Sequence, residues 1–589
     1  MELSHFEFMK SNRTTLLFLV IIIFGALILR LVQLGAVPPG LNRDEAALGF
    51  TAYSLLKTGR DEYGKFLPLS LQSFGDWKLP AYAYVSIPFV AIFGLNEWAI
   101  RLPSVLAGVV TIAITFAIAS KLFNRKIGLL VALLMAISPW HVFFSRVASE
   151  ANLAVFWVSL AWLVLVLVSQ RSPLVILFGL FLSLSILTYH GNHIFTPLIF
   201  LVFCFTYRKK LLAKPWGYIS LLLFGLIAGI TYSRTLFSAD QTKISGLLSI
   251  NDPSVVHNSI EKNRLIANNS LISKLTANKY IFLAEHFGQN YLKAFSPEFL
   301  FVSGGGNLQH NIPDFGNLYL FEAPFLLLGL FSIFYFKHKS RWILLLWLLL
   351  APIGASLTKD APHSARQFAV FPVLPLIIGY GLYTTSEFLR RQYRLFFWSF
   401  IGLAFIINFI LFYERYFVLF PYKAYAAWGD SYKEMVYKLQ QQRIHFNQVF
   451  VTRPDFSPYI YYLFYTKPNP LRVQKELVHY PDTSEGFSHV RYFDGITYEK
   501  NNWTRELMVP GRLYVDWAES VPSGATQSAI IITKTELAEL KRANIDTSGL
   551  AIGSVVTSRL VDTVDAPDGS LLFYLIATYN GTPSAEFTP

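Results

Sequence analysis

The stretch Ala81-Tyr82-Ala83-Tyr84-Val85-Ser86-Ile87-Pro88-Phe89-Val90-Ala91-Ile92-Phe93-Gly94-Leu95 decides the topology of this chain. It is apolar yet short, with Pro80 before it and Pro88 inside it. It reads either as a crossing or as a segment that lies along the interface or re-enters. Of the 589 residues, 53% are hydrophobic, 15% are charged and 52 are Phe, a balance that belongs in a bilayer. Longer apolar runs lie near 16–34, 101–120, 127–142, 152–169, 174–189, 193–207, 216–234, 317–336, 342–358, 367–385 and 395–413, eleven in all. The first is the length of a span and lacks a small-residue cleavage signature, so it reads as a retained helix rather than a signal peptide.

Basic residues choose between the two readings of 81–95. If it does not cross and the N-terminus is cytoplasmic, the clusters Lys10/Arg13, Lys121/Arg125/Lys126, Arg171, Arg208/Lys209/Lys210/Lys214, Lys337/Lys339/Arg341 and Arg390/Arg391/Arg394 all fall inside. If it crosses, every cluster after the first swaps sides. The expectation is therefore a polytopic α-helical cell-membrane protein with about eleven spans over 1–413, including external loops at 35–100 and 235–316. The net charge of +13 then reports topology rather than nucleic-acid binding. The single cysteine, Cys204, excludes a disulfide framework and a thiolate metal site.

After Tyr413 the pattern becomes that of a soluble α/β domain, expected over 414–589 on the extracytoplasmic side. Residues 448–452, 513–517, 528–533 and 571–577 alternate like strands, and 431–443 and 535–543 read as amphipathic helices. Neither an internal repeat nor a low-complexity tract is visible, which weighs against repeat-built transporters.

The same parity puts the unusual polar residues on one face. Asn42-Arg43-Asp44-Glu45-Ala46 follows the first span, and Asp61, Glu62, Asp76 and Lys78 share its loop. Asp44 and Glu45 read either as an acidic pair complementing a helix N-terminus or as a catalytic site, with Asp44 taking a proton from an acceptor nucleophile. Lys78 is a snorkelling interfacial lysine or a phosphate contact at headgroup depth. Arg146 and Glu150 are four apart and suit either an ion pair on a helix start or, for Glu150, a second active-site carboxylate. Arg366, near His363, lies where the charge bias disfavours it and suits bidentate phosphate contact. His190 and His193, without a carboxylate partner nearby in sequence, suit hydroxyl binding better than metal; no cofactor is implied with certainty, and a divalent metal has no support here. Gly304-Gly305-Gly306 reads as a flexible turn able to gate a cleft, and is no phosphate-cradling loop because no Gly-Lys-Ser/Thr follows.

Asn42-Arg43-Asp44-Glu45-Ala46, Trp77-Lys78-Leu79-Pro80, Arg101-Leu102-Pro103-Ser104, Ser138-Pro139-Trp140-His141 with Ser145-Arg146, and Pro362-His363-Ser364-Ala365-Arg366, in this order, resemble the GT-C polytopic glycosyltransferases. The likeness is to the bacterial branch of the protein O-mannosyltransferase and aminoarabinose-transferase superfamily, over most of 36–385. It implies a GT-C fold and a polyprenyl-phosphate sugar donor. The catalytic acidic residue of the first external loop falls on Asp44 and the carrier-phosphate lysine on Lys78. Arg366, with Arg146 and His363, would complete the phosphate clamp. The acceptor hydroxyl would belong to a protein, glycolipid or cell-wall polymer, and the transferred hexosyl or pentosyl group is not disclosed. Trp77-Lys78-Leu79 replaces the Glu-Lys-Pro of aminoarabinose transferases, and 235–316 has no room for a β-trefoil insertion. The rival reading is a transporter or flippase of a lipid-linked sugar, which calls for functional polar residues near the midplane and on both sides.

Overall fold

The computed structural model describes residues 2–74, 76–237, 253–266, 268, 270–483, 487–543 and 545–581. Part of the expected external loop 235–316 therefore lies outside the described residues. Two compact units make up the chain, one of 1–37, 79–89 and 98–420, the other of 38–78, 90–97 and 421–589. The expected division at 413/414 differs on two counts: the helical path runs on from Arg391 to Trp428, and the loop 38–78 groups with the C-terminal residues.

All eleven apolar runs are helical over most of their length in the first unit. Its helices begin with α1 (Glu2–Leu31); the second unit then contributes α2 (Arg43–Thr58) and a ribbon of β1 (Leu71–Ser73) and β2 (Asp76–Lys78). There follow α3 (Ala81–Phe93), α4 (Glu97–Leu122), α5 (Arg125–Ile137), α6 (Pro139–Ser145), α7 (Glu150–Leu167), α8 (Ile176–Ile186), α9 (Asn192–Thr206) and α10 (Pro215–Phe237). Farther along are α11 (Ala323–Tyr335), α12 (Arg341–Leu350), α13 (Val373–Phe388) and α14 (Arg391–Tyr413). Among the described residues five helices are by themselves long and apolar enough to cross a membrane. Two more spans arise if α5 with α6, bent by 61°, and 364–370 with α13, bent by 56°, each count as one. The remaining expected spans coincide with shorter apolar helices, as does α3. Leu395, Phe396, Phe400 and Leu403 of α14 stay exposed, as lipid-facing side chains do. Where α11 crosses α13, a Cβ on Gly329 would lie 2.1 Å from the Ile377 carbonyl and one on Gly381 2.1 Å from that of Phe325. Only glycine lets these backbones meet, a small-residue contact of the kind that packs helices in lipid.

The ends of α1 and α5 show why three arginines are buried in so apolar a unit. As a helix ends its last carbonyls lose their partners, and away from water they must find donors. Arg146 donates to the carbonyls of Leu29, Arg30 and Val37 at 2.8, 2.9 and 2.9 Å. Arg101 donates to Leu34 O at 2.8 Å. Arg30 donates to Ala26 O and Ala136 O and meets His141 Nδ1 at 2.8 Å.

In the second unit an eight-stranded mixed sheet forms among the described residues. Its central strand β3 (Gln448–Val451) runs parallel to both Ile496–Tyr498 and Arg512–Trp517; the other pairings are antiparallel. The four strands and two helices expected from the alternation are all present. Helix Ser431–Gln442 buries Tyr432, Met435, Val436 and Leu439, the one-face spacing of an amphipathic helix, and packs on the sheet's two long strands. Helix α15 (Pro458–Thr466) packs between it and α2. Thus 38–78 is held within this unit by a helix that belongs to the C-terminal sequence.

Candidate active site

Asn42 starts α2: its side chain accepts the Glu45 N–H at 2.9 Å, and Gly59 ends the helix at φ 68°. Asp44 and Glu45 therefore occupy the first turn, where the helix dipole favours negative charge. Successive positions on a helix point about 100° apart, and the two carboxylates separate accordingly. Asp44 is 53% exposed, whereas Glu45 is buried. The dipole reading and the catalytic one are thus compatible for Asp44, whereas Glu45 faces the interior of its unit.

Lys78 closes the β1–β2 ribbon opposite Leu71. Only 3% exposed, its ammonium lies 3.1 Å from Asp44 Oδ1 and 4.0 Å from the Phe74 ring centre, while Arg43 sits over the same ring at 5.1 Å. Lys78 is therefore a fixed, largely desolvated cation beside a fixed carboxylate, not a solvated snorkelling chain. Beneath the ribbon, Glu62 is buried; burial pushes its carboxyl up to about 7, opposed by the Tyr459 hydroxyl bond and by Lys78, and reinforced by Asp61.

The first unit gathers a second group. Arg366, 14% exposed, pairs with Asp360 and donates to Thr358 Oγ1 at 2.8 Å. His363 caps the short turn carrying Arg366, and its Nε2 lies 3.6 Å from Asp360 Oδ2. Burial, with His310 and Arg366 nearby, holds the His363 imidazole well below its ordinary value, so at neutral pH it serves as an uncharged hydrogen-bonding group. Glu150 opens α7 behind the Ser149 cap. It shares surroundings with Arg366 and Asp360, since all three lie within electrostatic reach of the buried Tyr189 phenol.

Other expectations are met differently. Arg146 spends both terminal nitrogens on the carbonyls at the end of α1 and stacks over Phe417 at 4.6 Å. Both terminal nitrogens are thus engaged by backbone carbonyls of its own unit, a packing role the sequence reading did not expect. His190 and His193 stand edge to face, ring centres 5.1 Å apart, and His193 Nε2 is 3.0 Å from Ile186 O. Among the described residues no group of three or more His, Cys, Asp or Glu is arranged to hold a metal. The Gly304–Gly306 turn is tied rather than loose: Gly305 N–H donates to Asn311 Oδ1 at 2.8 Å, and Ser364 Oγ bonds the same oxygen.

Sequence reasoning did not weigh Asp360, although it stands in the same short loop as Arg366 and His363. It gave Glu62 no role, and Tyr459 carried no signal at all, since its partner is 397 residues away.

An apolar cavity of about 360 Å³ in the first unit is lined by Trp140, Leu300, Phe301, Leu326, Leu348 and Val370, among others. Its one amide side chain is Gln367, next in sequence to Arg366; Gln367 is buried and its Nε2 finds no hydrogen-bond partner among the described residues.

Part of the sequence matches a known family model, and the fold resembles solved structures. Residues 78–232 match the family model described as dolichyl-phosphate-mannose-protein mannosyltransferase. No curated protein matches the sequence. The structure is similar to ArnT from Cupriavidus metallidurans in the apo state, with 11% identity and a TM-score of 0.51 over 96% of this chain and 98% of that one. Against the same protein bound to undecaprenyl phosphate the TM-score is 0.48 at 12% identity, over 94% of this chain and 97% of that one. Against the archaeal oligosaccharyltransferase AglB from Archaeoglobus fulgidus, in complex with an inhibitory peptide and a dolichol-phosphate, it is 0.45 at 14% identity over 80% of this chain. The chain spans 62% of the length of that oligosaccharyltransferase. At 11% identity the likeness to ArnT is one of fold, and it extends over nearly the whole of both chains.

Proposed function

We propose that this protein is a membrane glycosyltransferase that moves a sugar from a polyprenyl-phosphate donor to an acceptor hydroxyl on the extracytoplasmic face, with inversion. The observation that carries the reading is the Asp44–Lys78 pair: an exposed carboxylate and a desolvated ammonium 3.1 Å apart. The donor phosphate approaches Lys78, which shares its charge between phosphate and Asp44. The acceptor oxygen attacks the anomeric carbon as Asp44 takes its proton. The bond from that carbon to the phosphate oxygen breaks, and its electron pair leaves on the lipid phosphate. Lys78 stabilises the charge that develops there, so no general acid is needed.

Two further features support the reading. Arg366, with Asp360 setting its orientation, offers a fork suited to phosphate oxygens. The 360 Å³ apolar cavity beside Gln367 suits the first units of an isoprenoid chain. The matched family is described by a lipid-phosphate sugar, a donor of this class.

The test is transfer from a polyprenyl-phosphate sugar by purified protein in lipid, coupled to mass spectrometry of surface glycans with and without the gene. Asp44→Asn should lose turnover by two orders of magnitude or more, about the effect of removing a general base, and still bind undecaprenyl phosphate. Turnover retained in Asp44→Asn would overturn the assignment of the base.

A further inference from the structure

Tyr459 belongs to the sequence of the soluble domain, yet its hydroxyl is built into the loop that carries Lys78. The hydroxyl donates to Glu62 Oε1 at 2.9 Å and accepts the Phe74 N–H at 2.9 Å. Ser73 Oγ donates to the other oxygen of the same carboxylate at 3.3 Å. Tyr459, Glu62 and Ser73 are all buried. The bonds converge on the bend of the β1–β2 ribbon, where Phe74 has φ 41°, a left-handed conformation that a side-chain-bearing residue adopts at a cost. Something must hold it there, and the Tyr459 hydroxyl binds that residue's own amide. The Phe74 ring in turn supports the Lys78 ammonium from 4.0 Å.

We infer that Tyr459, acting through Glu62 and the Phe74 amide, is a positioning residue for Lys78, so that the C-terminal domain sets the geometry of the phosphate-binding lysine. The inference rests on the proposed donor chemistry of Lys78. A tyrosine serving only to fill space would need its ring and not its hydroxyl; here the hydroxyl is used twice, once as donor and once as acceptor. Glu62 is a buried carboxylate whose polar neighbours are Tyr459, Ser73, Asp61 and Lys78. Its ionisation therefore alters both the strength of the Tyr459 bond and the field at Lys78.

The experiment uses the full chain in lipid nanodiscs, with undecaprenyl phosphate as the probe. Tyr459→Phe should weaken lipid-phosphate affinity at least fivefold and, because Lys78 also stabilises the charge on the leaving phosphate, lower kcat/KM by at least the same factor. Glu62→Gln keeps an acceptor for the Tyr459 hydroxyl but cannot titrate. The ratio of its affinity to that of the unsubstituted protein should therefore change between pH 6 and pH 8; the lipid's own ionisation is common to both and cancels. Unchanged affinity in Tyr459→Phe, or a pH-independent ratio for Glu62→Gln, overturns the inference. Should Tyr459→Phe fail to fold, the Glu62→Gln ratio decides alone. If the unsubstituted protein does not bind undecaprenyl phosphate, or Lys78→Ala binds it equally well, the proposed function fails; if those two behave as expected and Tyr459→Phe does not, only this inference fails.

Discussion

The ammonium of Lys78 and the carboxylate of Asp44 lie 3.1 Å apart, the first buried and the second open to solvent. The pair joins the last residue of a β-ribbon to the first turn of a helix, so its geometry is fixed by two backbones rather than by side-chain preference.

Replacing Lys78 by Ala should weaken undecaprenyl-phosphate binding by about 10- to 100-fold, the ~1.5–3 kcal/mol of a hydrogen bond to a charged group. Lys78→Arg should recover only part of this, because a planar fork does not fit where a compact ammonium meets Asp44 and the Phe74 face. Equilibrium binding to nanodisc-embedded protein checks both.

Arg366→Gln should also lower lipid-phosphate affinity by about tenfold or more. Asp360→Asn, which removes the carboxylate competing for the guanidinium, should raise affinity while lowering kcat, because the fork is no longer oriented. Steady-state kinetics with a titrated lipid donor separate the two effects.

Glu62 gives stability a definite pH dependence. Its folded carboxyl, pushed by burial to about 7, holds a proton that the unfolded chain releases near 4.5. Stability from this group is therefore present at acid pH, falls as pH rises through that window and levels off above about 7. Glu62→Gln should remove the fall. The difference in unfolding temperature between the two proteins should grow from pH 5 to pH 7.5 in favour of the variant; a constant difference would exclude the effect.

Arg146→Met should behave as a structural lesion. It leaves the carbonyls of Leu29, Arg30 and Val37 without this donor, at about 1–3 kcal/mol for each buried unsatisfied group. Thermal unfolding in detergent should drop by many degrees, while the fraction that remains folded binds lipid phosphate with ordinary affinity. A selective loss of binding without loss of stability would return Arg146 to the phosphate site.

The apolar runs, the basic clusters between them and the acidic first turn of α2 were all legible in the sequence, as were the alternating strands of the last domain. Each depends on residues within one or two turns, so local composition and spacing suffice. The separation of Asp44 from Glu45 follows from the same helical period once α2 is known to begin at Arg43. What tertiary structure decided is which charges meet. Arg146 had Glu150 four residues away as its obvious partner, yet its two terminal nitrogens bond the carbonyls at the end of α1, because a helix end buried away from water demands donors. Asp44 found Lys78 across a ribbon whose register the sequence does not encode locally. Glu62 found Tyr459 from 397 residues away, a meeting that depends on how α15 packs on α2 and on nothing in either segment alone.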